Sequence, residues 1–386
     1  MAALDLTDPA FVADPYPVFA AARADGSVRY DEASGMWLAL SWRHANLVLR
    51  DRRLGRLWRD REPEARFAPF NALHRHQMME NEPPEHTRLR SVVAREFSRG
   101  HVERLRPRVA AVAEELLAAA GPEFDLIGDF TEPLPVRVIA ELLGVPEADR
   151  PLLRPWSQAI VRMYEYGRSA ELEDAAVAAA TEFAEYLREL ARGRRTGPGE
   201  DLVSQLAASG ELSEDELVAS SILLLNAGHE ASVNAFGNGV VALLAHPAEL
   251  ARLRADPERL AGTAVEEMLR YDAPLQLFER TAREDTTIGG VTVPAGRKVA
   301  ALLGAANRDP AAFPDPDRFD IGRDPNPHLG FGAGLHFCLG APLARVELRV
   351  ALTTLIHHCP GLALATAPVR RPTFVLRGYT EVRVHR

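Results

Sequence analysis

Cysteine is almost missing from this chain of 386 residues: only Cys338 and Cys359 occur, with no Cys-x-x-Cys pair. Two thiols cannot staple a disulfide scaffold, and zinc sites or iron–sulfur clusters held by the chain are not expected. Basic residues are in deficit, 45 Lys and Arg against 54 Asp and Glu, for a formal charge of −9. Nucleic acid, which asks for a basic face, is therefore not an expected partner. Uncharged apolar runs of about 18–20 residues are absent. The opening stretch MAALDLTDPAFVADPYPV is acidic and proline-bearing, unlike a signal peptide. No membrane partner is expected, and the expected location is the cytoplasm. Internal repeats and long low-complexity tracts are lacking too, which leaves solenoids and linkers aside.

What is present is a soluble, globular composition, 47% apolar and 26% charged, in a chain long enough for a deep core. Helical patterns dominate: Pro17 to Ala24, Trp42 to Leu49, then 101–120, 132–143, 147–166, 170–192 and 200–208. Strand patterns are fewer. Val28 to Leu40 alternates about a turn at Ala33-Ser34-Gly35, and Glu123 to Leu126 reads as a short strand or turn. Thr286 to Val293 and Arg297 to Leu303 bracket Gly289-Gly290 and Pro294-Ala295-Gly296. Val369 to Arg386 reads as a hairpin with its tip at Gly378-Tyr379-Thr380. The fold class expected is mainly α with a smaller β-rich part, in one domain, 1–386. The seam Gly193 to Gly199 is a loop between helices. Residues 51–84 lose all periodicity and read as one long loop, a length at which loops tend to be lids or binding loops. His74 and His76 within it read as surface. His357-His358-Cys359 closes a helix, where histidine is favoured, and needs no metal to explain it.

Chemistry concentrates around Cys338, in Phe331-Gly332-Ala333-Gly334-Leu335-His336-Phe337-Cys338-Leu339-Gly340. Glycines let this backbone lie flat against something large. The apolar helical run from Leu339 to Ile356 would direct unpaired N–H groups and a positive dipole end towards the sulfur, favouring thiolate. Such a thiolate suits one axial bond to a metal, as in haem iron held by cysteine. The same residues also suit a plain turn around a buried, inert thiol. A dinucleotide-binding reading fails, because Phe337 stands where the third glycine of Gly-x-Gly-x-x-Gly belongs.

Two further stretches carry polar groups in helical register. Ser213 to Glu216 is a capping box ahead of an apolar run that nothing stops before His246-Pro247, about 48 Å of helix at 1.5 Å per residue. Its middle, Asn226 to Ser232, is polar where a buried helix should be apolar, which suits entry of water, oxygen or substrate. His86 and Arg90 fall four apart on one face, fit for two carboxylates of a ligand or for plain solvent.

The cysteine string, followed by Leu343-Ala344-Arg345, resembles the haem-binding signature of the cytochrome P-450 superfamily. Residues 86–90, 227–232, 267–270 and 314–319 resemble its other motifs, in the family's order. The resemblance implies a long central helix over haem b and a cysteine-ligand loop beneath it. Cys338 would be the axial ligand of the haem iron, Phe331 the aromatic near it and His336 a propionate contact, with Gly332 and Gly340 close to the porphyrin. His86, Arg90 and Arg280 would hold propionates. In the oxygen-activating motif Gly228 would let the helix bulge and Glu230 would relay protons. The threonine expected next is Ala231, followed by Ser232. Glu267 and Arg270 would form a buried structural lock joined by Arg318. Leu73, Gln77, Met78, Met79, Leu224, Ala227, Leu275, Gln276 and Leu277 are the substrate-pocket candidates, with the aromatics of 155–172 either roof or plain packing.

The function implied is a monooxygenase of the soluble bacterial type, inserting one oxygen atom from O2 into a small lipophilic molecule of secondary metabolism such as a polyketide, macrolide or terpenoid. Ferredoxin and ferredoxin reductase are the implied electron donors, with Arg99, His101, Arg104 and Arg345 as candidates for their docking face, and a monomer is expected. A peroxide-driven peroxygenase or an oxidative coupling or cyclising enzyme is the alternative that Ala231 keeps open. A haem sensor without catalysis is a third reading, against which Glu230 and residues 51–84 speak.

Overall fold

Capping chemistry sets several helix starts. Ser41, Ser169 and Asp201 accept N–H bonds at the starts of Trp42–Arg50, Ala170–Thr196 and Leu202–Ser209. The capping box closes in both directions: Glu216 N–H donates to Ser213 Oγ at 3.2 Å, and Ser213 N–H donates to the Glu216 carboxylate at 2.9 Å. The long helix it opens is Glu214–Ala245, 32 residues. The computed structural model describes residues 4–386, which divide into two compact units. Among the described residues no helix is long and apolar enough to cross a membrane.

Among the described residues, the first unit comprises 4–55, 113–132 and 231–386. It holds a five-stranded sheet in the order Val28–Asp31, Met36–Ala39, Lys298–Leu302, Leu277–Ala282, Leu54–Gly55. The predicted hairpin pairs Val28 with Ala39, and Met36–Ala39 then runs parallel to Lys298–Leu302, with Trp37 opposite Val299. Val48 and Leu49 pack with Ala39, Ile288, Val293, Val299 and Ala301 to form the core of this part. A second knot is polar. Asp272, buried, accepts from the Tyr16 hydroxyl at 2.7 Å, from Arg377 at 2.7 Å and from Arg370 at 3.1 Å. Burial alone would push its carboxyl up, but these arginines and the tyrosine outweigh it and hold it near 2.

The C-terminal hairpin needs correction. Tyr379–Glu381 is itself a strand, paired with Val369–Arg370, so Gly378-Tyr379-Thr380 is not a tip. Gly378 lies flush against the Asn234 side chain, and the turn is made by residues 371–378. There Val375 accepts from Gln276 N–H, and Leu376 bridges Leu275.

The second unit comprises residues 56–112 and 133–230. Within it, the expected 51–84 loop is corrected by the helix Glu64–Arg75, with Pro69 inside, and a short turn of helix at Met78–Glu80. Proline forfeits one backbone bond, yet burying Phe67, Phe70 and Leu73 offsets the loss. His74 is not on the surface. It is 1% exposed and stacked between Trp58 at 4.3 Å and Phe70 at 4.2 Å, with Nδ1 on the Phe70 carbonyl and Nε2 on the Tyr164 hydroxyl. The ring continues a buried aromatic stack that an isolated His-x-His does not reveal. Trp156 likewise stacks on Phe183 and donates to Glu182.

Burial pushes the His74 imidazole down to about 4. The unfolded chain therefore binds more protons than the fold between pH 6.5 and 4, so stability is full above pH 6.5 and falls as pH drops through that window. We expect a loss of about 3 kcal/mol over that window from this residue, read from denaturant unfolding at pH 7 and pH 4.5. The His74→Phe variant should lack this component of the slope.

Candidate active site

The first unit carries the cysteine loop. Gly332 and Gly334 have φ of 68° and 70°, and a side chain on Gly334 would strike the backbone of Leu49 and Arg50. The loop is thus pressed onto the helix Trp42–Arg50 as only glycine permits. It closes on itself through Cys338 N–H donating to the Phe331 carbonyl at 2.9 Å. Cys338 is exposed, whereas Cys359 is fully buried. The helix Ala341–His358 begins just after it, capped by Gly340, whose Cβ if present would sit 4.0 Å from the sulfur. Phe331, His336, Gly332 and Gly340 are half-buried in the same loop. Arg280, 2% exposed, lies on the strand Leu277–Ala282 with its guanidinium 4.8 Å from the Phe278 ring.

Beneath the loop, Glu267 and Arg270 on the helix Pro257–Tyr271 are both fully buried and joined by two bonds of 2.7 Å. The third member is not Arg318, whose side chain is exposed and 3.8 Å from Asp320. Arg318 contributes only its carbonyl, which accepts from Arg270 at 3.1 Å and Arg323 at 3.0 Å. Arg323 supplies the missing charge, donating to both Glu267 oxygens at 3.2 and 3.3 Å. The run Phe313 to Phe319 turns Arg318 outwards, and the chain returns to Glu267 at Asp320 N–H and Asn326.

Along the long helix, every residue from Leu217 to Val240 is buried except Ala227, Gly228, Ala231 and Ser232. Ala227 is exposed and the other three are half-buried, and at spacings of one and four they make one stripe. Helix assignment is continuous through Gly228, so the expected bulge is not a break in the helical pattern. A methyl group in place of the Gly228 hydrogen would meet Ile139 at 3.7 Å, an ordinary contact. Glu230 is buried, with a carboxylate oxygen 4.0 Å from His229 Nδ1. In the second unit His86 is buried and Arg90 half-buried on the helix Glu85–Ala94.

The pocket candidates separate. Leu73, Gln77 and Met78 are buried and Met79 half-buried in the second unit. Leu224 is buried and Ala227 exposed on the long helix. Leu275 is half-buried. Gln276 is fully buried, donates to the Ala273 carbonyl at 2.8 Å and presses its amide on Gly304. Leu277 is a sheet residue opposite Leu302. Arg345 is not a free docking charge, since Glu266 takes it at 2.6 and 2.8 Å. Arg104 lies 3.2 Å from His101, and His101 3.2 Å from Glu96. A surface crevice lined by Glu96, His101, Arg108, Glu141 and Glu200 contains none of the motif residues. Sequence reasoning missed Arg323, Glu266 and Glu347. Glu347 is a buried acid on the cysteine helix whose carboxyl burial pushes up to about 8.

The donor set decides which cofactor fits. Among the described residues no group of three or more His, Cys, Asp and Glu is placed to hold an ion. A metal held through the exposed Cys338 alone would be one already chelated, and a flat glycine loop around one thiol fits a planar chelate. These features define a haem-thiolate class of protein. The chain belongs to the cytochrome P450 family: the model "Cytochrome P450" matches residues 151–365. It is 44% identical over 384 residues to the cytochrome P450 monooxygenase PikC of Streptomyces venezuelae, covering 95% of this chain and 90% of that protein. It is 40% identical over 401 residues to the 6-deoxyerythronolide B hydroxylase of Saccharopolyspora erythraea, covering 98% of each. The solved structure of P450BioI with an acyl carrier protein ligated to hexadec-9Z-enoic acid superposes with a TM-score of 0.94 at 36% identity, covering 98% of this chain and 99% of that one. The chain is a P450 monooxygenase, and haem b is the cofactor of its family.

Removing Arg323 leaves the buried Glu267 carboxylate short of a partner. We expect Arg323→Ala to cost about 3–5 kcal/mol, while Arg318→Ala stays within about 0.5 kcal/mol. Chemical denaturation of both variants checks the assignment.

Proposed function

We propose that this enzyme oxygenates a medium or large lipophilic product of secondary metabolism, a polyketide, macrolide or terpenoid, with electrons from a separate ferredoxin and its reductase. The two units together make the single catalytic domain of this proposal, acting as a monomer in the cytoplasm. Relatives such as the 6-deoxyerythronolide B hydroxylase support the substrate class, as do the apolar candidates Leu224, Ala227 and Leu275. Gln77 adds one polar demand, because its buried Oε1 has no protein partner. A substrate hydroxyl would satisfy it.

The residues present fit the cofactor in stated roles. Cys338 would bind the iron through its thiolate, and His86, Arg90, Arg280 and His336 would hold the propionates. Phe331, Gly332 and Gly340 would shape the loop against the porphyrin. Bound there, haem supplies dioxygen activation, with the thiolate pushing electron density that favours O–O cleavage. The protein's part is orientation and proton control.

The observation that carries this reading is the stripe of exposed and half-buried small residues on the long helix, with Ala231 where the family pattern has a hydroxyl. Alanine can neither donate nor accept, whereas Ser232 beside it can do both. Glu230 holds the acid end of the relay. Its proton crosses the gap by Ser232, an ordered water or the substrate's own hydroxyl, so a poorly matched substrate leaves the path open and electrons escape as peroxide. The same gap favours a second reading, a peroxide-driven or coupling enzyme. Turnover with peroxide alone, compared with turnover with ferredoxin and reductase, separates the two.

Ala231→Thr restores the hydroxyl. With poorly matched substrates, peroxide released per electron pair should fall about fivefold, the worth of one hydrogen bond. Unchanged peroxide release with such substrates, together with unchanged coupling on a well-matched one, would sink substrate-assisted proton delivery.

A further inference from the structure

Two adjacent acids on the helix Pro257–Tyr271 bracket the cysteine loop from different sides. Glu267 fixes the run before the loop through Arg270, Arg323 and Asn326. Glu266 does something else. Its Oε2 accepts from His328 Nε2 at 2.9 Å and from Arg345 Nη2 at 2.8 Å, and its Oε1 accepts from Arg345 Nε at 2.6 Å. His328 Nδ1 accepts the Gly330 N–H at 3.1 Å, which puts the ring proton on Nε2, facing Glu266. One carboxylate thus holds His328, ahead of the loop, and Arg345, in the helix that follows it.

Arg345 carries this hold inwards. Its guanidinium lies 4.4 Å from the Phe331 ring centroid, over the face of the aromatic that opens the loop. The Phe331 carbonyl in turn accepts the N–H of Cys338 at 2.9 Å. The linkage therefore runs from Glu266 to Arg345, from Arg345 to the Phe331 ring, and from the Phe331 carbonyl to the backbone of the cysteine itself. Every member belongs to the first unit.

We propose that Glu266 is a positioning residue for the thiolate: acting through Arg345 and Phe331, it fixes the backbone of Cys338 and so keeps the sulfur bound to iron as thiolate. A bidentate carboxylate–guanidinium fork is directional, so it sets the plane of Arg345 over the ring and does more than supply charge. The proposal rests on the reading of Cys338 as the haem ligand.

The test uses the haem-loaded protein, reduced under carbon monoxide, with the lifetime of the thiolate-type absorption band as readout and haem retention and urea unfolding measured beside it. Glu266→Gln keeps the shape but weakens the fork, and the thiolate-type band should convert to the thiol-type band roughly tenfold faster, the effect of about 1.4 kcal/mol. Arg345→Gln should match it, and the double variant should be no worse than either single one, as expected for partners in one linkage. Arg345→Lys, which retains charge and loses the fork, should fall between parent and Arg345→Gln. A parental band lifetime in Glu266→Gln overturns the proposal, as does lost urea stability with that lifetime unchanged. If Glu266→Gln does not accumulate, a parental lifetime in Arg345→Lys overturns it instead. A parent protein without any thiolate-type band would refute the functional reading itself, a result distinct from these.

Discussion

A single carboxylate with no access to water governs the frame around the cysteine. Glu267 has been taken wholly out of solvent, and such a charge is tolerable only when its lone pairs are filled. Arg270, Arg323, Asn326 and the Asp320 N–H fill them, and the last three come from a stretch of chain that would otherwise be irregular loop. Arg270 then spends its remaining donors on the carbonyls of Asn307, Pro316 and Arg318. The electrostatic demand of one buried anion is what turns residues 307–326 into fixed structure, and the cysteine loop follows directly from that segment. Precision at Cys338 is inherited from below.

The long helix shows the complementary principle. It is buried along most of its middle, and only four small residues there are exposed or half-buried, two of them alanine, one glycine and one serine. Small side chains there leave space, and the polar neighbours Asn226, His229 and Glu230 are buried to either side of it. Ala231 leaves more room there than a threonine would and, unlike Ser232 beside it, carries no hydroxyl to donate or accept.

Much of this was legible in the sequence, and the failures have physical causes. Helix starts with caps, such as the capping box at Ser213, were placed within a residue or two, whereas the helix begun at Ala170 runs past the expected 192, through Gly193, to Thr196. The cysteine string named its own turn, and Glu267 and Arg270 paired as helical spacing requires. Arg318 was the wrong third partner because residues 313–326 follow no period: once a chain is irregular, distance along it no longer tells which guanidinium returns to a charge. The helix Glu64–Arg75 was hidden by Pro69, whose local preference was overridden by the burial of Phe67 and Phe70. His74 was misread for the same reason, since its burial depends on Trp58 and Tyr164, neither of which lies in its own helix. The C-terminal hairpin was displaced because its strands are only two or three residues long, too short for alternation to be counted.

The parallel pairing of Met36–Ala39 with Lys298–Leu302 has a consequence for how the chain is made. A ribosome emits the first of these strands long before the second, and Leu54–Gly55 likewise waits for Thr281 and Ala282. Residues 56–230, most of which form the second unit, can collapse in the meantime. The early hairpin must keep its second edge unpaired throughout that interval, with apolar residues such as Leu38 and Leu40 uncovered. Closing so large a loop is slow and exposes the nascent chain to aggregation, so slower translation or chaperone supply should govern the yield of folded protein more than changes to the catalytic residues do.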